Sequence, residues 1–189
     1  MNQYHSSTIL AIALLISSFS VNASQELHRD AKGLVKQFGA TLKPQLVQAI
    51  QQGGPQNAVD VCAIKAPEIA RELSKQSGWN IRRVSLKNRN ANAVADAWEK
   101  SVLEEFELQL AAGKPAKELE YGALVGGEYR FMKAQVTTPL CLKCHGSKLE
   151  QPLHDKIKMH YPDDLALGYQ VGEIRGAFSL SFKSVQTQQ

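Results

Sequence analysis

The sequence predicts an α+β fold in which an antiparallel sheet carries the N-terminal helices. Two observations predict this class. Apolar residues recur at helical spacing through most of the first half of the chain, whereas the second half contains a Gly-Gly hairpin turn and an alternating strand near its end. Helices that come first and strands that cluster later are typical of α+β proteins, and we expect the helices on one side of the sheet.

Three helices are predicted from apolar residues at helical spacing, over residues 25–52, 56–77 and about 94–111. A short fourth helix is expected near residues 152–160. We expect Gly33, Gly39 and Pro44 to bend the first helix, and the segment QQGGP (51–55) to end it. Pro67 is expected to interrupt the second helix, because proline lacks the backbone N–H that an inner turn requires.

Strands are predicted after the second helix and in the second half of the chain. Residues 79–86 form a modest strand, and residues 119–136 form a hairpin around the two-residue turn Gly126-Gly127. The clearest strand covers residues 173–182, and four of its side chains are expected on one face: Ile174, Phe178, Leu180 and Phe182.

Residues 1–23 predict a cleavable signal peptide. They contain no Lys, Arg, Asp or Glu, and the apolar run Ile9–Ile16 is shorter than the roughly 20 residues that cross a bilayer. Short residues before the cut favour cleavage after Ala23. Residues 24–189 then suit a single domain. We expect an exported, periplasmic protein that contacts the membrane only if this segment stays uncleaved.

Charge and cysteine content narrow the function classes. The formal net charge is +4, and basic residues are scattered among acidic ones, so we expect no nucleic-acid partner. The chain has 3 cysteines. Because this count is odd, one thiol of an exported protein must be free, intermolecular or used as a ligand.

The segment Cys141-Leu142-Lys143-Cys144-His145 matches C-x-x-C-H, the attachment motif of c-type haem. Two thiols at this spacing reach the two vinyl groups at one edge of the macrocycle and form two thioethers. The histidine that follows lies under the ring, where its imidazole binds iron. The motif therefore predicts one covalently attached haem c.

Three other interpretations of the cysteines are weaker. A thioredoxin-like dithiol needs C-x-x-C at the start of a helix, and no strong helix is predicted after this motif. A disulfide between Cys141 and Cys144 would close a small strained ring. Zinc accepts a Cys₃His set, for which the chain offers Cys62, Cys141, Cys144 and His145.

The second axial ligand has several candidates: His28, His154, His160, Met132, Met159 and Cys62. Met132 is interpreted as a core-packing residue, and the charged stretch that contains Met159 is interpreted as a solvated face. Cys62 lies on the apolar stripe of the second helix, so its thiol is expected to point inward. A spare thiol is a liability in an oxidising compartment unless it is bound, and thiolate is a strong donor to ferric iron. Cys62 therefore ranks first.

Four segments resemble a known family: AVDVCAIKAPEIA, WE…LEEF, PLCLKCHG and YPDDLALGYQVGEIRGAFSL. The family comprises small mono-haem c-type domains, first catalogued as a domain of unknown function, with a PAS-like fold. The resemblance implies that Cys141 and Cys144 attach the haem and that His145 and Cys62 are its axial ligands. Because members are also found fused to histidine kinases, it implies redox or gas sensing.

The expected function is thus that of a non-enzymatic haem protein that senses redox state or a small gas through iron of low potential. An anionic sulfur ligand stabilises Fe(III), and reduction weakens the iron–sulfur bond. The alternative is a diffusible electron-transfer cytochrome with a redox partner protein, and an enzyme such as a peroxidase is disfavoured. A local basic cluster is interpreted as a solvated surface rather than as a propionate site: Arg82, Arg83, Lys87 and Arg89.

Overall fold

Within residues 6–183, which the computed structural model describes, the chain forms one antiparallel sheet and five α-helices; side-chain surroundings are described from residue 23 onward. The strands run in the order β1-β4-β3-β2. This arrangement confirms the predicted α+β class and is consistent with a PAS-like fold. The helices are Ser6–Asp60 (α1), Ala66–Ser77 (α2), Ala97–Ala111 (α3), Pro139–His145 (α4) and Gln151–His160 (α5), and the strands are Asn80–Val84 (β1), Glu120–Val125 (β2), Glu128–Val136 (β3) and Ile174–Lys183 (β4).

Both faces of the sheet are covered by helices. Helices α1 and α2 pack on one face through a core that contains Phe38 and Phe131, and α3 packs on the other through a core that contains Phe106 and Met132. Phe131 and Met132 are neighbours in β3 and face opposite ways, because successive side chains of a strand alternate. The expectation that helices lie on one side of the sheet therefore holds for α1 and α2 and is wrong for α3.

A β-bulge interrupts the pairing of β3 with β4. Gln135 pairs with Gly176, but the next residue, Val136, pairs with Ile174, so Arg175 is an extra residue of β4 without a partner in the register. Bulges bend a strand and change the direction in which a side chain points. Here the bulge turns Arg175 out of the regular alternation.

The bulge also corrects the predicted face of β4. Phe178 and Leu180 lie in the core beneath α1, with Phe182 at its margin, as expected. Ile174 instead joins Ala177 in the core beneath α3, because the extra residue shifts the alternation by one position.

The first predicted helix ends where the sequence predicts that it ends. The chain stays helical through Gly33, Gly39 and Pro44, and its backbone leaves helical geometry only at Gly53 (φ −160°) and Gly54 (φ 73°). Gly54 has a positive φ, which glycine adopts without steric cost. The predicted end of the first helix is therefore confirmed, and the bends expected at Gly33, Gly39 and Pro44 stay predictions.

The second predicted helix contains a π turn at Val61–Lys65, just before Pro67. The N–H of Ala66 donates to the carbonyl of Val61, five residues earlier, and the proline that follows has no N–H to continue an α-helical ladder. The expected interruption at this proline is thus a widened turn rather than a break. Cys62 lies inside it.

The predicted signal peptide, residues 1–23, is helical from Ser6 as part of α1, and its first five residues lie outside the described residues. Cleavage after Ala23 and export stay predictions. Residues 184–189 of the predicted domain also lie outside the described part. No helix among the described residues is both long and apolar enough to cross a membrane.

A polar cluster around Glu120 fastens α1 to the hairpin. The carboxylate accepts hydrogen bonds from Lys32 Nζ (2.7 Å) and Lys133 Nζ (3.0 Å) and lies 3.1 Å from His28 Nε2. The Tyr129 hydroxyl lies 3.1 Å from the other ring nitrogen of His28. Burial by itself would raise the pKa of Glu120, but the hydrogen bonds from Lys32, His28 and Lys133 outweigh it and lower the pKa from 4.5 to about 2.

Glu120→Gln is therefore expected to lower the free energy of unfolding at neutral pH by about 1–2 kcal/mol, because charge-assisted hydrogen bonds are lost. The carboxylate stabilises the fold fully above its ordinary pKa of 4.5, and this contribution is lost as the pH falls towards 2. The difference in the free energy of unfolding between wild type and variant, measured by urea denaturation, should therefore shrink over that pH range. Glu104→Gln, at an exposed glutamate 3.8 Å from Lys100, is the control. A difference in the free energy of unfolding that does not change with pH would contradict the stabilising role of the ionised Glu120 carboxylate.

Candidate functional site

A cavity of about 450 Å³ opens between the π turn, β1, the loop after β1, β4 and α4. Both Cys62 and His145 line it, although they are far apart in the sequence. Its size falls within the roughly 300–1,000 Å³ of small-molecule pockets. A shallower groove of about 630 Å³ runs along α1 between Lys36 and Gln51, and none of the predicted site residues lines it. The cavity with the cysteine and the histidine is therefore the candidate site.

Cys62 reaches the cavity from the π turn. Its neighbours on the wall are small or short: Ala63, Ala66, Pro67 and Ala70. The prediction that its thiol points inward is confirmed, and the inward direction leads into the cavity rather than into the close-packed core. Single π turns are frequent at functional sites, because the extra residue changes which side chains face a neighbour.

The C-x-x-C-H motif lies on helix α4, which is not predicted from the sequence. It begins with Pro139 after β3 and ends before Gly146, so the two cysteines, three residues apart, lie on neighbouring positions of one helical face. Cys144 packs against the apolar cluster that joins α5 to α1. Burial raises the pKa of the Cys144 thiol to about 11, and the nearby Cys62 adds to the increase. All three cysteines are free thiols.

His145 is held in one orientation by the backbone. Its Nδ1 lies 2.8 Å from the carbonyl oxygen of Ala166, an acceptor, so Nδ1 carries the proton. Its Nε2 then keeps a free lone pair, to which Arg175 Nε donates a long hydrogen bond of 3.5 Å. Burial lowers the pKa of His145 to about 2, with further contributions from Arg175 and Arg89. The imidazole is therefore neutral, with Nε2 able to bind a metal.

A buried ion pair fixes the segments on either side of His145. Arg89 Nε lies 3.1 Å from Asp164 Oδ1, and Arg89 Nη2 lies 3.0 Å from Asp164 Oδ2. Arg89 Nη2 also donates to the carbonyl of Cys144 at 2.7 Å, and Asp164 accepts from the N–H of Ala166 at 2.9 Å. One pair thus holds both the end of α4 and the loop that orients the imidazole.

The basic cluster differs from the predicted solvated surface. Arg89 is only 8% exposed, and Arg82 and Arg83 line the cavity. Lys87 donates to the carbonyl of Leu167 at 2.8 Å. The interpretation as a solvated run is wrong for Arg89, because a carboxylate 75 residues away in the sequence pairs with it.

The other candidate ligands do not line the cavity. Met132 is fully buried in the core beneath α3, which confirms its interpretation as a packing residue, and Met159 is 78% exposed. His160 Nε2 lies 2.8 Å from Asp60, and His28 belongs to the Glu120 cluster. Among the side chains that the structure describes, no three His, Cys, Asp or Glu residues are grouped as a metal ion requires, so the zinc interpretation finds no support.

Together these features define an α+β domain whose cavity holds a cysteine and a histidine beside a C-x-x-C-H helix. The chain belongs to the Tll0287-like family, whose model matches residues 15–183. It is also similar to the solved structure described as that of the cyanobacterial heme-protein Tll0287, with a TM-score of 0.60 and 24% identity over 85% of this chain and 98% of that one. At this identity the likeness shows the shared fold. No curated protein matches the chain.

Three parts of the site are not predicted from the sequence: the Arg175 side chain, the Ala166 carbonyl and the Asp164 partner of Arg89. A carbonyl acceptor leaves no trace in side-chain patterns. Arg175 lies in the segment GEIRGA that contributes to the family resemblance, and this segment is the one signal that singles it out.

Arg89→Met tests the buried pair. Removing the guanidinium leaves the Asp164 carboxylate buried without its partner, and we expect the free energy of unfolding to fall by about 3–5 kcal/mol. Urea denaturation of the haem-free chain measures the change. Arg29→Met is the matched control, because Arg29 is 75% exposed and lies 3.8 Å from Glu26.

The double variant Arg89→Met/Asp164→Leu separates the charge from the packing. It should be more stable than Arg89→Met alone, because no unpaired carboxylate remains. If Arg89→Met were as stable as Arg29→Met, the pair would not hold the site together.

Proposed function

We propose that this protein is an exported c-type haem protein that senses redox state or a small gas. The observation that carries the proposal is that Cys62, from the π turn, and His145, from the C-x-x-C-H helix, line one cavity. The family membership and the fold shared with a protein described as a heme-protein support it. The predicted signal peptide supports a periplasmic location.

Cys141 and Cys144 would attach the haem. Each thiol adds across one vinyl group: the S–H bond breaks, a carbon–sulfur bond forms, and the hydrogen goes to the other vinyl carbon. This addition consumes the vinyl double bond and needs no external oxidant. The position of both cysteines on one face of α4 suits two reactions at one edge of the macrocycle.

The described residues fit such a group on three counts. His145 is neutral, and the Ala166 carbonyl fixes the tautomer that leaves Nε2 free. Cys62 lines the same cavity as that nitrogen. Arginines of the cavity wall suit the carboxylates at the haem periphery. A bound haem supplies an iron atom that changes its oxidation state and its ligands.

The sensing role follows from the two ligands. When haem is bound, a Cys62 thiolate would stabilise the oxidised iron and would be held less strongly by the reduced iron, so the oxidation state could bias the position of the π turn. Asp60, two residues before Cys62, is held by Lys156 Nζ at 2.9 Å and by His160 Nε2 at 2.8 Å. A movement of Cys62 would therefore pass directly to α5. No catalytic residue is assigned, and the proposed role is not enzymatic.

Covalent attachment is tested by the mass of the chain matured in a host with a haem-attachment system. We expect the mature chain to carry the mass of one haem, retained after denaturation, because thioethers survive unfolding. Cys141→Ala/Cys144→Ala should lose the haem on denaturation. A matured wild-type chain without this mass would refute the proposal.

Cys62→Ala tests the axial ligand. Loss of an anionic sulfur should shift the Soret band and raise the reduction potential, measured by spectroelectrochemistry. Met159→Ala is the control, since this exposed methionine is a rival sulfur ligand in the sequence, and it should leave both unchanged. A wild-type spectrum in Cys62→Ala would exclude Cys62 from the coordination sphere.

Spectra of the wild-type protein in both oxidation states, with and without CO, separate sensing from the alternative of a diffusible electron carrier. A sensor should lose or protonate the sulfur ligand on reduction and then bind CO. A carrier should keep both ligands in both oxidation states, because ligand exchange slows electron transfer.

A further inference from the structure

The wall of the cavity is strongly basic, and its charges are unevenly compensated. Among the described side chains, five arginines and no carboxylate line it: Arg71, Arg82, Arg83, Arg89 and Arg175. Arg89 is paired with Asp164, and Arg82 lies 3.8 Å from Glu99. Arg83 and Arg175, in contrast, have no carboxylate within salt-bridge distance among the described residues; the same holds for Arg71, but that side chain is exposed to solvent.

These two arginines are placed by the fold rather than left in solvent. The Arg83 guanidinium lies 5.4 Å from the centre of the Phe38 ring, and that of Arg175 lies 5.8 Å from the centre of the Tyr169 ring. Burial lowers the pKa of Arg175; Tyr169 opposes this effect, and Arg83 lowers it further. Two cations that face one cavity without counter-charges are costly, and an anion between them removes that cost.

The β-bulge gives Arg175 a second role at the histidine. As the extra residue of β4, it points to His145 and donates to Nε2 over 3.5 Å. One lone pair cannot both accept this hydrogen bond and bind iron. Arg175 must therefore leave Nε2 when the imidazole becomes an iron ligand, and its guanidinium then needs a new partner in the same cavity.

We propose that Arg83 and Arg175 bind the two propionate carboxylates of the haem, and that Arg175 exchanges Nε2 of His145 for a propionate as the iron is bound. The assignment rests on the proposed haem function. Guanidinium groups suit it, because they bind carboxylates with two parallel hydrogen bonds and stay charged when buried. In the haem-free chain, Arg175 is hydrogen-bonded to Nε2 of His145, the nitrogen that would bind iron. In the haem-bound chain, Arg175 would fix the orientation of the porphyrin.

The first test uses the haem-free full chain and a soluble dicarboxylate, sodium glutarate. Glutarate should raise the melting temperature above that in sodium chloride of equal ionic strength, because it binds the folded state only. Arg83→Gln and Arg175→Gln should each lose most of this increase. Arg29→Gln, at an exposed position on α1, should keep it. Equal increases in all four proteins, or none in the wild type, would overturn the proposal.

The second test uses the haem-loaded chain. Arg83→Gln and Arg175→Gln should keep the covalent haem, because both thiols are untouched, but their reduction potentials should fall, because a positive charge near the iron favours the reduced state. Arg83→Lys and Arg175→Lys should recover part of the loss. Unchanged potentials would refute the propionate assignment while the haem function stands. A wild-type chain that matures without haem would refute both.

Discussion

The site depends on the buried pair of Arg89 with Asp164. This pair holds the carbonyl of Cys144 at the end of α4 and the N–H of Ala166 in the loop that follows α5. The same loop presents the carbonyl that fixes the imidazole of His145. Such a pair is expensive to desolvate, and Asp164 Oδ2 makes no hydrogen bond, so the pair serves mainly to position its neighbours rather than to add stability. The pair joins the loop after β1, the end of α4 and the loop after α5. Residues of the first two segments line the cavity.

Two departures from regular backbone geometry direct Cys62 and Arg175 towards the cavity. The π turn before Pro67 brings Cys62 to the cavity, and the bulge in β4 brings Arg175 to His145. Each inserts one residue into an otherwise regular element and so changes which face the next side chain occupies. A regular helix and a regular strand with the same sequences would turn these side chains elsewhere.

The sequence predicts the elements well because their signals are local. Helical periodicity, the Gly126-Gly127 turn and the alternation in β4 require only neighbouring residues. The second covered face of the sheet and the displaced Ile174 are missed, because they depend on pairing across strands. Cys62 and His145, which line the cavity, are predicted from the sequence because thiolate and imidazole are suited to bind iron. The sequence pattern places Arg89 in solvent, because its partner lies 75 residues away and leaves no local signal.

We propose that a thiolate and an imidazole from distant segments bind one iron. X-ray absorption at the iron edge of the oxidised, haem-loaded protein measures its ligands directly. We expect one sulfur ligand at the short distance typical of a thiolate, together with nitrogen ligands, and we expect the sulfur to be lost in Cys62→Ala. An iron surrounded by nitrogen alone, or by a sulfur that persists in that variant, would contradict it.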